Sequence, residues 1–234
     1  MANLFPPDFN KRFCRMAILC AALLLLALGS VYYVNFYADE YEPVQPVRFS
    51  HTLHADTLKM DCTACHTAAH RSARAGLPDT KSCMGCHQHI LPDSPLIAPL
   101  RQAADPLYPG YTGEPIRWVM VNRLSGHAYF NHMAHLNRGI GCTSCHGDAA
   151  GMERIRAPRD ARMRWCLDCH RNPAPHLRPL EETASPSYSA EDYLRTHEVK
   201  DAAGKRINIP ADLGSFLMKR WQIQPGTGCT TCHH

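Results

Sequence analysis

The chain is 234 residues long, with 45% hydrophobic, 20% charged and 8% aromatic residues and a formal net charge of +4. That length bounds it to one or two small domains, and so slight a charge does not imply a nucleic-acid partner. Twelve cysteines and 15 histidines point instead to covalent or metal chemistry.

In chain order, residues 1–15 come first and carry Lys11, Arg12 and Arg15. Met16 to Val34 is a run of 19 residues without a charge. As a helix it spans roughly 28 Å, about the hydrocarbon core of a bilayer. Asp39, Glu40 and Glu42 follow it. The positive-inside bias then predicts a cytoplasmic segment 1–15, a membrane anchor over 16–38 and an exported remainder. Tyr32, Tyr33, Phe36 and Tyr37 would form the outer aromatic belt. A signal peptide cut after Gly29 is the competing reading; both readings export residues 39–234. Cys14 and Cys20 lie six apart in or beside this run, on different sides of a helix, so an intrahelical disulfide is not expected. Packing explains them, and Leu19 argues against lipidation of Cys20.

Beyond the anchor, one pattern occurs five times. Cys62-Thr-Ala-Cys65-His66, Cys83-Met-Gly-Cys86-His87, Cys142-Thr-Ser-Cys145-His146, Cys166-Leu-Asp-Cys169-His170 and Cys229-Thr-Thr-Cys232-His233 are all C-x-x-C-H. This is the attachment pattern of c-type haem: two thiols form thioethers with the porphyrin and the adjacent imidazole binds iron. Zinc ribbons need four ligands per metal, so five pairs leave one over, and zinc asks for no histidine after each pair. A thioredoxin-like site needs a βαβ setting, and disulfides give no reason for the histidines. Five haem c groups are therefore predicted, numbered 1 to 5 along the chain, with His66, His87, His146, His170 and His233 as proximal iron ligands. Their propionates would turn the charge to about −6 with ferrous iron and about −1 when fully oxidised.

The remaining histidines are not scattered. Phe49-Ser-His51-Thr-Leu-His54 precedes Cys62, and Phe130-Asn-His132-Met-Ala-His135 precedes Cys142, an offset of 81 residues. Each F-x-H-x-x-H leads into two C-x-x-C-H motifs, which predicts a duplication. Module 1 is residues 39–100 with haems 1 and 2, 101–129 is a linker, and 130–234 is module 2 with haems 3, 4 and 5. Segments 105–115 and 171–179, rich in Pro and Gly, read as loops. Residues 115–121 read as a short strand and 212–223 as a helix with Asp212 near its start. Arg154, Arg156, Arg159, Arg162 and Arg164 form either a solvated surface or forked partners for propionates. The expected fold is mostly irregular, with short α-helices carrying the motifs and one N-terminal transmembrane helix. The porphyrins are expected to supply the core, because so irregular a chain buries little apolar surface of its own. No phosphate-binding glycine loop, hydrolase elbow or zinc-protease motif is present.

The histidine pairs resemble those of the small multihaem cytochromes of the c3 and c7 families. That resemblance implies c3/c7-like modules in which His51 closes haem 1 opposite His66, and His54 closes haem 2 opposite His87. It likewise implies His132 opposite His146 on haem 3 and His135 opposite His170 on haem 4. The trihaem c7 pattern places the sixth ligand of the last haem just before an attachment motif, where this chain has Met163. Met152, His176 and His197 are alternatives, and His70, His89, His127 and His234 are left without a role. Longer stretches, "PVQPVRFSHTLHADTLKMDCTACH", "YFNHMAHLNRGIGCTSCHG" and "WCLDCHRNPAPHLRP", are similar to the pentahaem cytochrome c subunit of bacterial alternative complex III. The resemblance runs from about Tyr41 to the C-terminus and is weaker over 101–113 and 184–205.

It implies a non-catalytic electron-transfer subunit of a quinol:electron acceptor oxidoreductase in the bacterial inner membrane, with its haem domain on the periplasmic side. Its partners would be a polytopic quinol-binding subunit, an iron–sulfur subunit, and a monohaem cytochrome c or terminal oxidase as acceptor. The alternative is a stand-alone membrane quinol dehydrogenase, like the tetrahaem proteins that feed periplasmic reductases. The fifth motif and the duplication speak against it. A nitrite- or hydroxylamine-type catalyst would need an iron open on one side.

Overall fold

A computed structural model describes residues 8–36, 41–157 and 162–233, with only the backbone of 34–36. Tyr37, Asp39, Glu40, Arg159 and His234, and the side chain of Phe36, lie outside the described residues. The chain divides into two compact units, 1–40 and 41–234.

In the first unit, α1 runs Phe9–Phe36 over 28 residues. Among the described residues it is the one helix long and apolar enough to cross a membrane, by length and composition, over Phe9–Tyr33. Leu23, Leu24, Leu25 and Leu26 are all exposed, as are Met16, Ile18 and Val31. Helices apolar on every side are buried in protein or in lipid.

The second unit is built of short helices and irregular chain, with no strand among the described residues. Two isolated bridges, Ile140 with Leu177 and Lys200 with Arg206, are the β pairing present there. Four helices carry attachment motifs: α2 (Cys62–Cys65), α3 (Thr80–His87), α6 (Thr143–His146) and α7 (Met163–Arg171). Between them lie α4 (Ala98–Ala104) and α5 (His132–Leu136), and after them α8 (Ala190–Thr196) and α9 (Pro210–Arg220). A π-helical turn spans Thr52–Thr57 and a 3₁₀ turn spans Cys229–Thr231.

The strand expected at 115–121 is not formed. The run is irregular, with a tight turn closed by Trp118 N donating to Ile116 O at 3.1 Å, and no strand pairs with it among the described residues. The Gln45 side chain stands in for one: its Oε1 accepts from Val119 N and its Nε2 donates to Val119 O, both at 2.9 Å. A single amide satisfies one peptide unit, and a ladder needs several. The helix expected over 212–223 is present as α9, starting two residues earlier. Pro210 supplies a first-turn residue with its φ already set, and Asp212 sits at the positive end of the dipole with Lys219 and Arg220 at the other.

The protein also supplies more core of its own than the sequence implied. Leu213 and Leu217 of α9 pack with Leu194 of α8 and with Ile140, Leu177, Ile207 and Ile223. Gly214 makes the close approach possible, because a Cβ there would collide with the Ala174 carbonyl. A smaller cluster of Val47, Ile97 and Leu100 backs α3 through Cys83 and Met84.

Candidate haem-binding sites

Each C-x-x-C-H is wound into a helical turn, so its two thiols, three residues apart, share one face. Side chains start two of these turns. Asp61 Oδ1 accepts from Thr63 N at 2.7 Å, and Asp79 Oδ1 accepts from Ser82 N at 2.8 Å. Such caps satisfy amides that the first turn leaves without a partner.

The following histidines are oriented by carbonyls from elsewhere in the chain. His66 Nδ1 donates to Gly76 O at 2.8 Å, His87 to Ile90 O at 3.1 Å, His170 to Gly226 O at 2.7 Å and His233 to His127 O at 2.8 Å. At His146 the Asn122 side-chain amide lies 3.3 Å from Nδ1. A neutral imidazole whose Nδ1–H is engaged by a carbonyl presents the lone pair of Nε2, the form that binds a metal.

The two F-x-H-x-x-H stretches converge on these histidines. His54 and His87 have ring centroids 6.2 Å apart, His132 and His146 6.4 Å, and His135 and His170 6.1 Å. Imidazoles that each sit about 2 Å from one shared metal, on opposite sides, have centroids about 6 Å apart. His51 lies by His66: burial first, then His66 and His54, push its pKa down to about 4. Burial likewise pushes His146 down to about 4, with His132 and His66 adding to it. Imidazoles kept neutral in this way are ready to ligate. The residues present thus fit haem c, with two thiols and a histidine on one side and, at the second, third and fourth motifs, a second histidine across from it.

Phe49 and Phe130, to which the sequence reading gave no role, each touch both histidines of their own turn. Phe49 meets His51 edge-on (4.8 Å, 87°) and lies face to face with His54 (4.5 Å, 22°). Phe130 repeats this with His132 (4.7 Å, 85°) and His135 (4.5 Å, 31°). His54 Nδ1 donates to Ser50 O at 2.9 Å and His135 Nδ1 to Asn131 O at 2.8 Å, each four residues back.

At the fifth motif, Met163 is 64% exposed and opens α7 one turn before Cys166. Met163, Cys166 and His170 share one face of α7, and the bond from His170 Nδ1 to Gly226 O, three residues before Cys229, turns that face towards the last motif. Met152 sits elsewhere, its carbonyl accepting from Thr52 N at 3.2 Å, next to His51. His197 stacks on Tyr193 at 4.2 Å, and His176 ends a 3₁₀ turn over Ala174–His176. His70 pairs with Asn137, its Nδ1 3.0 Å from Oδ1. His127 has an unexpected position. Its carbonyl orients His233, its ring lies 5.4 Å from that of His233, and its Nε2 is 3.2 Å from Ser125 Oγ. Because residue 127 stands on the Nδ1 side of His233, it supports this histidine rather than facing its Nε2.

Arg178 was also missed. It is 8% exposed and ties the third motif to the loop 182–185. Its Nη2 donates to Thr143 Oγ1 at 2.6 Å, and its Nη1 to the carbonyls of Glu182 (3.3 Å) and Ser185 (3.4 Å). Its guanidinium lies 4.6 Å from the centre of the Tyr188 ring. The side chain fills the space where a Cβ on Gly141 would stand. Of the arginines singled out beforehand, Arg154 lies 3.6 Å from Glu42 and Arg164 3.8 Å from Asp168. A compositional cue would not have found Arg178, whose partners are one distant hydroxyl and two nearby backbone carbonyls.

No protein-family model matches the chain. Over 102 residues it is 34% identical to the multihaem cytochrome c subunit of menaquinone reductase from Nitratidesulfovibrio vulgaris strain Hildenborough. That alignment covers 44% of this chain and 45% of the relative, so the chain spans about half the length of the curated relative it matches.

Proposed function

We propose that this chain is a membrane-anchored pentahaem cytochrome c that relays electrons within a respiratory quinone oxidoreductase complex. The observation that carries the reading is the set of opposed imidazoles, each pairing a C-x-x-C-H histidine with one from an F-x-H-x-x-H turn. The resident haem c supplies one-electron chemistry at iron. The paired imidazoles would hold such a group, hydrogen bonds at Nδ1 orient them, and burial favours the neutral form of His51, His135 and His146. Fixed ligands on both sides favour electron transfer and leave no position for a substrate. Met163 is the proposed sixth ligand of the fifth site, where a thioether raises the potential relative to bis-histidine neighbours. The division of the exported part into modules 39–100 and 130–234 around a linker is part of the same proposal.

The finer assignment is to a complex of the alternative complex III type. Electrons would pass from quinol, through an iron–sulfur subunit, to a periplasmic cytochrome or terminal oxidase. The likeness to a menaquinone reductase subunit favours a second reading with the flow reversed, from periplasmic donors into the quinone pool. Both readings require α1 to be the anchor and residues 41–234 to lie on the periplasmic side. Copurification from membranes in mild detergent, followed by two assays, separates them. Quinol that reduces the haems, with transfer onward to a cytochrome, supports the first. Reduced cytochrome that drives menaquinone reduction supports the second. If the reduced protein binds carbon monoxide stoichiometrically at one of the four bis-histidine haems, the relay reading fails.

A further inference from the structure

The order in which the five attachment sites sit in space is not their order in sequence. Resting on the pentahaem reading, we propose that they form a single row 2–1–3–4–5, with the Cys83–His87 site at one end and the Cys229–His233 site at the other.

Four junctions give the row. Sites 2 and 1 are joined at one turn, because His54 faces His87 while its carbonyl accepts from Met60 N at 3.0 Å, two residues before Cys62. Sites 1 and 3 are joined back to back. Cys62 N donates to Ala184 O at 3.2 Å and Cys142 N to Thr183 O at 3.0 Å, so the first cysteines of the two motifs hang from consecutive carbonyls. His132 strengthens this seam: its N and its Nδ1 both donate to Ala73 O, at 3.1 and 2.9 Å, only seven residues beyond His66. Sites 3 and 4 are joined through α5, where His132 and His135 face His146 and His170. Sites 4 and 5 are joined by the bond from His170 Nδ1 to Gly226 O, three residues before Cys229.

The last motif is tied to the second half of the chain. Tyr129 N donates to Cys232 O at 2.8 Å and His233 Nδ1 to His127 O. The second motif, in contrast, is backed by α4 and the small Val47, Ile97 and Leu100 cluster. The duplication therefore runs outward from its middle. The first-encoded site of each copy meets its counterpart at the centre, and the later-encoded sites extend to either side. A row has two ends, and sites 2 and 5 are the ones with a single neighbour each.

The test is the pattern of inter-haem nuclear Overhauser contacts in the fully reduced, haem-loaded full chain in detergent, each haem assigned through contacts to its own motif residues. The intact mass of the same sample is read first. Five adducts establish the sample, and fewer would overturn the pentahaem reading itself. With five adducts, contacts in the pairs 2–1, 1–3, 3–4 and 4–5 are expected. A contact between haem 2 and haem 3, 4 or 5, or the lack of one between haems 1 and 3, overturns the order while leaving the pentahaem reading intact. As a second readout, His54→Met should shift the midpoint of one haem, and selectively broaden or move the signals of haem 1 among its neighbours. Equal perturbation of haem 3 would contradict the row.

Discussion

The two F-x-H-x-x-H turns present nearly the same side-chain geometry on different backbones. The first is a π-helical turn over Thr52–Thr57, the second an α-helix over His132–Leu136 capped by Asn131 Oδ1 on Ala134 N at 3.3 Å. In both, a phenylalanine meets one histidine edge-on and the other face to face. They differ in how the first histidine is held. His132 Nδ1 donates to Ala73 O, whereas His51 Nδ1 is buried and finds no hydrogen-bond partner among the described residues. The placement of the two imidazoles on their phenylalanine is thus kept while the helix type and outer hydrogen bonds vary. A π turn widens the helix by one residue, and such turns favour functional sites. The second copy bridges to the first through His132, and the first copy has no matching bond at His51.

The largest expected effect is at the seam between the copies. Arg178→Ala leaves the Glu182 and Ser185 carbonyls and Thr143 without their charged partner and should cost about 3–5 kcal/mol. Arg178→Lys should recover only part of this, because an ammonium cannot reproduce the planar fork. Guanidinium unfolding of the haem-loaded protein measures both.

Next come His132→Ala and His51→Ala. Each should leave one iron of five open to carbon monoxide. His132→Ala should cost about 1 kcal/mol more in stability, because only His132 donates from Nδ1 to the other copy. Equal costs would show that the bond to Ala73 carries nothing. The His51 site also has a pH signature. Burial holds its folded pKa at about 4, below the usual value of 6.5, so the unfolded chain binds more protons between those values. Stability is therefore lost as pH falls from about 6.5 to about 4. Iron ligation acts in the same direction, since only the neutral imidazole binds. His51→Ala should flatten that part of the stability curve.

Smaller effects probe the shared geometry. Phe49→Leu and Phe130→Leu should each cost about 1 kcal/mol and broaden the low-spin resonance of two haems, because each ring touches two ligands. Asn131→Ala should cost about 1 kcal/mol by removing the α5 cap. Ser50→Ala should cost a similar amount, since Ser50 Oγ accepts from Leu53 N at 3.1 Å and donates to Glu153 at 2.5 Å.

Much of the local structure was legible because it depends on nearby residues. A three-residue cysteine spacing suits one helical turn, Pro210 and Asp212 mark the start of α9, and the uncharged run predicts α1. The histidine pairs were legible as a repeat, and a family resemblance was needed to say what each would face. The acceptors of the ligand Nδ1 protons were not legible. Gly76, Ala73, Gly226 and His127 act through backbone carbonyls, and a carbonyl leaves no trace in residue type. Arg178 was hidden for a related reason: its partners lie 35 residues before it and four to seven after it, two of them backbone oxygens. Residues 115–121 misled because their β-branched and aromatic composition suits an extended chain, while ladder formation depends on a neighbour the sequence does not supply.

The central claim is that five covalent haems are held by this chain, and the intact mass of the mature full-length protein tests it most directly. The account predicts the polypeptide plus five haem adducts, stable to denaturation and lost one at a time when the cysteine pairs are replaced. A mature chain carrying fewer than five adducts contradicts it.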